Sequence, residues 1–326
     1  MRIAVLGAGA WGTALAIAFA ARHDVALWGR DMLRVDEMSR QRINARYLPG
    51  CPFPPRLRVT ADFSAVLDGA GLAILAGPLA GLRSLLEQLR SSAPEMSFLW
   101  VCKGLEAGSG LLPHQVVADV MGKPRCGVLT GPSFALEVAQ GLPTAITLAA
   151  ADAEFATTTA QALHGGNLRI YANEDLIGAE VGGAVKNVLA IATGICDGLG
   201  LGNNARAALI TRGLVEITRF GEALGAKRET FMGLAGMGDL LLTCTGELSR
   251  NRRVGLLLAE GRALADIVRE LGHVAEGVPA AREVARRAEA LGVDMPITRA
   301  VTAVLDGRIT PRAAVEQLMA REARHE

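Results

Sequence analysis

The chain has 326 residues, half of them hydrophobic and 21 % charged, enough to bury the cores of two domains and too apolar for disorder. Its formal net charge is +1 with no dominant block of Lys and Arg, which argues against a general nucleic-acid surface. The five cysteines (Cys51, Cys102, Cys126, Cys196, Cys244) form no Cys-x-x-Cys pair, so reduced thiols in a cytosol are expected, and no His/Cys cluster has metal-ligand spacing.

The chain opens with an apolar stretch, residues 3–21, that follows Arg2 and ends near Ala18-Phe19-Ala20, much like a signal peptide. Glycines at positions 7, 9 and 12 disfavour a membrane-inserting helix there, and the same residues read better as strand, tight turn and helix. No other stretch reads as long and apolar enough to span a bilayer, so no membrane span and a cytoplasmic location are expected.

In detail, residues 2–6 predict a buried strand, Gly7-Ala8-Gly9-Ala10-Trp11-Gly12 a turn, residues 13–22 a helix and residues 25–28 a second strand. This is Gly-x-Gly-x-x-Gly in a strand–helix context. Gly7 allows the tight turn, Gly9 lets a pyrophosphate approach the backbone, and Gly12 lets the helix pack closely on the sheet. After Trp28-Gly29 come Arg30, suited to a 2′-phosphate, and Asp31, suited to a ribose 2′-hydroxyl, so the cofactor signal is mixed. Residues 32–43 look helical, and the Pro-rich residues 47–55 look irregular.

The alternation then continues, with strands at 71–76, 98–102, 127–129, 144–149 and 168–171 and helices at 82–89, ending at 117–121, and near 155–163. This pattern predicts an α/β, mostly parallel doubly wound sheet, whose ligands sit at strand carboxyl ends. Lys103 and Gly131-Pro132-Ser133 fall at such ends, although ordinary loop chemistry would also put them there.

From Glu174 helical patterns take over, at 178–196, 205–224, 254–260, 264–271, 279–291 and 297–305, with a last helix starting at Thr310-Pro311. The expected division is a Rossmann-type domain at 1–180 and an all-helical domain at 181–326. In the first of these helices Lys186 is the one cation between Ile170 and Ala205. Val181, Ala184, Val185, Val188, Leu189 and Ala192 make a buried stripe, and Lys186 points off it among Gly182, Gly183, Ala190 and Thr193. That small-residue face leaves room for another molecule. Its apolar surroundings would lower the lysine's pKa and make it a usable proton acceptor, unless it is a solvated surface lysine. Asp239, alone in a Gly-rich stretch, reads either as a site acid or as a helix N-cap. Ser249-Arg250-Asn251 at a helix start suits a phosphate, unless it is a solvated basic end.

Taken in order, Gly7-Ala8-Gly9-Ala10-Trp11-Gly12-Thr13-Ala14, Cys102-Lys103-Gly104, Gly131-Pro132-Ser133, Gly182-Gly183-Ala184-Val185-Lys186-Asn187, Ala207–Gly213, Gly236–Leu240 and Ser249-Arg250-Asn251 make the chain resemble the bacterial NAD(P)-dependent glycerol-3-phosphate dehydrogenases over nearly its whole length. The resemblance implies interconversion of sn-glycerol 3-phosphate and dihydroxyacetone phosphate with NAD or NADP, feeding phospholipid synthesis. It implies Lys186 as proton acceptor, with Lys103, Gly131, Ser133, Asn187, Asp239, Ser249, Arg250 and Asn251 also lining the substrate. It places Gly7, Gly9, Trp11, Gly12, Arg30, Tyr47, Lys103, Ala135, Arg250, Val274 and Glu276 on the cofactor. Ala10 and Gly246 depart from it, each standing where serine is frequent. A homodimer is allowed.

Two rivals stay open. A non-catalytic nucleotide sensor would explain the glycine turn but not Lys186 or the Ser249–Asn251 cluster. A β-hydroxyacid dehydrogenase also uses a helical-domain lysine, but on carboxylated substrates.

Overall fold

The structure is a computed structural model and describes residues 1–271 and 275–321. Short apolar runs form its strands: β1 (Arg2–Leu6), β2 (Asp24–Trp28), β3 (Leu57–Thr60), β4 (Leu72–Leu75), β5 (Phe98–Trp100), β6 (Cys126–Thr130), β7 (Thr144–Ala149) and β8 (Leu168–Asn173). They lie in one sheet in the order β3-β2-β1-β4-β5-β6-β7-β8. All pairs are parallel except β6–β7, which is antiparallel, so the sheet is mostly parallel as the strand–helix alternation requires. The chain reverses its direction of growth between β1 and β4, the switch point where open α/β sheets bind ligands.

The connecting helices are α1 (Ala10–Ala20), α2 (Met32–Gln41), α3 (Phe63–Leu67), α4 (Leu82–Ser92), α5 (Pro113–Met121), α6 (Ala135–Ala139) and α7 (Ala153–Leu163). Ile3, Val5, Val25, Leu27, Ile74 and Leu99 join Leu15, Phe19, Phe155 and Leu163 in one core cluster. The alternate residues Leu6, Leu75, Phe98 and Trp100 are just as buried. Both strand faces are therefore covered, which is why the strands read as continuous apolar runs.

The second half is helical: α8 (Leu176–Gly198), α9 (Gly202–Ala223), α10 (Asp239–Thr245), α11 (Arg250–Ala259), α12 (Leu264–Leu271), α13 (Gly277–Ala290), α14 (Pro296–Leu305) and α15 (Pro311–Met319). Two compact units result, Met1–Lys103 with Leu112–Ala179, and Gly104–Leu111 with Glu180–Glu326. Gly104–Leu111 counts with the helices because the Gly108 N–H donates to Glu283 Oε1 (3.1 Å) and Arg286 Nη2 to the Gly108 carbonyl (3.3 Å).

Several expectations need correction. β3 and α3 lie where no element was expected, since four strand residues shortly after two prolines carry too little pattern. Helix α1 begins at Ala10, so Gly12 lies inside its first turn. Strand β5 stops at Trp100, so Lys103 stands beyond the strand rather than directly at its end. Helix α8 is itself long and apolar enough to cross a membrane, but 89 % of its most apolar window is buried inside the protein. Nor is it a one-sided helix: every residue from 179 to 196 is buried.

Candidate functional site

In the sheet unit the glycine turn is set by close backbone contacts. Gly7 sits at φ +132°, and a Cβ there would stand 2.8 Å from the carbonyl of Ala76 at the end of β4. A Cβ on Gly12 would run into the Gly7 carbonyl and stand 2.8 Å from Ala76 Cβ, so both positions exclude a side chain. Gly9 differs, because a Cβ built there meets nothing within 4 Å. Gly9 is also the N-cap of α1 and offers no side-chain cap, so the first-turn N–H groups have no intrahelical acceptor. Open backbone, donors and a helix start together fit the pyrophosphate of a dinucleotide.

Around the turn, Trp11 is half-buried against the core cluster. Arg30 is exposed after Gly29, while Asp31 caps α2, accepting from the Arg34 N–H (3.3 Å) and pairing with Arg34 Nε (3.0 Å). The acid is thus occupied within its own helix turn. Tyr47 is half-buried with the Arg46 guanidinium 5.4 Å from its ring centre. Lys103 is half-buried. Gly131, at φ +133°, follows β6, and a Cβ there would lie 3.0 Å from Ile146 Cα on the antiparallel β7. Ser133 Oγ donates to the Gly131 carbonyl (3.0 Å), and Ala135 starts α6.

In the helical unit, Lys186 is buried and its Nζ donates to Asp239 Oδ1 and to Thr243 Oγ1 (2.9 Å). Asp239 is not the N-cap of α10. Gly238 holds that position without a side-chain bond, and a π-turn closed by Gly238 N–H to the Gly233 carbonyl (3.1 Å) leads into the helix. The Asp239 carboxylate, 1 % exposed, is thereby delivered to Lys186. Thr243 spends its one donor on the Asp239 carbonyl (2.6 Å), so toward Lys186 it can only accept.

Lys186 is therefore not in apolar surroundings alone: burial favours the neutral amine, while a touching carboxylate favours the ammonium. The small-residue face of α8 is also partly filled by the protein, since a Cβ on Gly182 would collide with the Ala235 carbonyl. Beside this pair, burial pushes the Cys244 thiol up to about 12, so it stays protonated and is no nucleophile.

Ser249 caps α11, accepting from the Arg252 N–H (3.2 Å), and Arg250 is exposed at its start. Asn251 is buried and bound at both ends: its Nδ2 donates to Asn187 Oδ1 (3.0 Å), and its Oδ1 accepts from the Gly277 N–H (3.0 Å). That second bond fixes the start of α13 next to the half-buried Glu276, whereas Val274 lies outside the described residues. Helices α8 and α11 touch through glycines, where a Cβ on Gly255 would stand 2.8 Å from Gly194 Cα. Asp197 locks that contact by accepting from Arg252 Nε (2.8 Å) and pairing with Arg252 Nη2 (2.7 Å) and Arg206 Nη1 (3.3 Å). Lys186 and Asn187 of α8 are thus joined in two buried pairs, with Asp239 of α10 and Asn251 of α11. Sequence reasoning missed Thr243, though its i+4 spacing from Asp239 would have shown it had α10 been expected. It also missed Asp197 and Asn44, whose Nδ2 donates to the Ala8 carbonyl of the glycine turn (3.0 Å); neither carries a motif.

Known proteins agree over the full length. The family described as NAD-dependent glycerol-3-phosphate dehydrogenase N-terminus matches residues 2–156, and the corresponding C-terminus family residues 175–316. The chain is 62 % identical over 328 residues to the glycerol-3-phosphate dehydrogenase (NAD(P)+) of Aromatoleum aromaticum, covering 100 % of each. It is 62 % identical over 327 residues to that of Dechloromonas aromatica, covering 100 % of this chain and 99 % of the relative. The crystal structure of glycerol-3-phosphate dehydrogenase from Coxiella burnetii superposes with a TM-score of 0.94 at 43 % identity, covering 98 % of this chain and 99 % of that one.

Proposed function

The chain belongs to the NAD-dependent glycerol-3-phosphate dehydrogenase family, and on that premise we propose that Lys186, held by Asp239 and Thr243, moves the proton at the C2 oxygen of the substrate. The reaction interconverts sn-glycerol 3-phosphate and dihydroxyacetone phosphate with NAD or NADP. When bound, the nicotinamide takes up or gives the hydride. The buried contact of Lys186 with Asp239 carries this reading. A carboxylate in contact holds a proton on the lysine, and that proton is what the C2 oxygen needs when the ketone is reduced. In the oxidative direction the amine takes the proton from the C2 hydroxyl.

The Ser249–Arg250 helix start would bind the substrate phosphate, where a guanidinium fork and helix-start N–H groups match its oxygens. Lys103, Gly131, Ser133, Asn187, Asp239 and Asn251 are further substrate contacts in this reading. The glycine turn would hold the cofactor pyrophosphate, with Trp11, Arg30, Tyr47, Lys103, Ala135, Arg250, Val274 and Glu276 as further cofactor contacts. Residues 1–180 then serve the dinucleotide and 181–326 the substrate. The same reading makes the enzyme a cytoplasmic supplier of glycerol 3-phosphate for phospholipid synthesis and is compatible with a homodimer.

Lys186→Ala tests it. kcat for dihydroxyacetone phosphate reduction should fall by roughly 10²–10⁴, the usual worth of a general acid, while NADPH still binds. A variant that turns over near the wild-type rate would remove Lys186 from the chemistry.

A further inference from the structure

We propose that Asn44 is a positioning residue for the cofactor, because its buried amide fixes the peptide of the glycine turn that faces the pyrophosphate. Asn44 is 2 % exposed. Its Nδ2 donates to the Ala8 carbonyl (3.0 Å) and to Thr13 Oγ1 (2.9 Å), which uses both donors of the amide. The Ala8 carbonyl can only accept, so the nitrogen must face the turn. In a planar trans peptide the C=O and the following N–H point in opposite directions. Anchoring the Ala8 carbonyl on Asn44 therefore aims the Gly9 N–H away from Asn44. Gly9 is also the residue at which a Cβ would meet no protein atom within 4 Å. A turn this rich in glycine has unusual backbone freedom, and an external anchor removes it.

The same residue reaches a second cofactor segment. The Asn44 side-chain Oδ1 accepts from the Tyr47 N–H (3.4 Å), and its backbone carbonyl accepts from the Tyr47 N–H (3.3 Å) and the Leu48 N–H (2.9 Å), placing Tyr47 relative to the turn. Arg42 brings the chain into that position. It sits in the left-handed region at φ 55°, and its guanidinium donates to the carbonyls of Leu57 (2.8 Å), Pro54 (2.6 Å) and Phe53 (3.4 Å). One buried amide thus links Ala8, Thr13 and Tyr47, which no local pattern joins.

This proposal rests on the reading of the glycine turn as the pyrophosphate site, and two sets of variants separate them. Asn44→Leu keeps most of the volume without the donors, and Asn44→Ser keeps a single donor. The expected result is a rise in the NADPH Kd and KM of about ten- to a hundredfold for Asn44→Leu, with Asn44→Ser between it and wild type. The KM for dihydroxyacetone phosphate at saturating NADPH should move by no more than about twofold, a split that general destabilisation would not produce. Gly9→Val adds a side chain where the protein offers no obstacle, so it should weaken NADPH while leaving the melting temperature in place. If Gly9→Val weakens NADPH and Asn44→Leu does not, the positioning role is overturned and the turn reading stands. If Gly9→Val leaves the NADPH Kd unchanged, both are overturned.

Discussion

In the sheet unit, the starts of α2, α3 and α7 are served from within three residues. Asp31 accepts from the Arg34 N–H, Asp62 from the Ser64 and Ala65 N–H groups, and Asp152 from the Phe155 N–H. In the helical unit the decisive contacts span the chain. Lys186 reaches Asp239 across 53 positions, Asn251 reaches Asn187 across 64, and Glu216 receives the Ile297 N–H across 81. The separation is not absolute, since Ser249 and Thr310 cap locally and Asn44 reaches Ala8 across 36 positions. A local cap stabilises one helix end, whereas a long-range buried polar pair holds separate helices in one arrangement and is costly to leave half-made.

The largest test of this contrast sets Asp239→Ala against Asp62→Ala. Removing Asp239 strips the buried Lys186 ammonium of its carboxylate, a change worth about 3–5 kcal/mol of unfolding free energy. Removing the exposed Asp62 cap should cost about 1 kcal/mol. Urea unfolding of both variants measures the difference, and equal losses would erase the contrast.

Glu216 gives a pH-dependent version. Its buried carboxyl accepts from the Ile297 N–H (2.6 Å), the Thr298 N–H (3.2 Å) and Thr298 Oγ1 (3.1 Å) at the start of α14. Burial raises its pKa from 4.5 to about 7, against the pull of those three donors. A carboxyl raised in the folded state binds more protons there than in the unfolded chain, so stability falls as pH rises from about 4.5 to about 7 and then levels off. The loss should be about 3 kcal/mol. Glu216→Gln cannot titrate, so the gap between its unfolding free energy and that of wild type should change over this window and stay constant above it. A constant gap from pH 4.5 upward would show that Glu216 ionises normally.

The smallest expected effect belongs to the sheet unit. Asp31 is engaged by its own helix, so in the proposed cofactor site Arg30 is the side chain expected to set cofactor choice. Arg30→Ala should lower kcat/KM for NADPH several-fold more than for NADH at fixed salt, because a guanidinium can pair with the 2′-phosphate. An unchanged ratio would return attention to Asp31 as a ribose ligand.

The sequence by itself determined the strand–turn–helix at Gly7–Gly12, the mostly parallel sheet, the helical second half, and the singularity of Lys186. These depend on short-range rules: apolar runs, glycine spacing and capping residues operate within a few positions. Tertiary structure decided what surrounds each residue. It buried α8 on every side, when its composition had suggested a single stripe. Of the two readings open for Asp239, site acid or helix cap, it chose the partner of Lys186 over the cap, through a glycine-rich π-turn with no helical period of its own. It paired β6 with β7 in the opposite sense and turned a stretch after two prolines into β3. It drew Thr243, Asn44 and Asp197 into the site regions, although no motif marks Asn44 or Asp197 and the spacing of Thr243 from Asp239 tells only once α10 is known. A hydrogen bond between residues dozens of positions apart needs both ends to be brought together, and that proximity is a property of the packed fold.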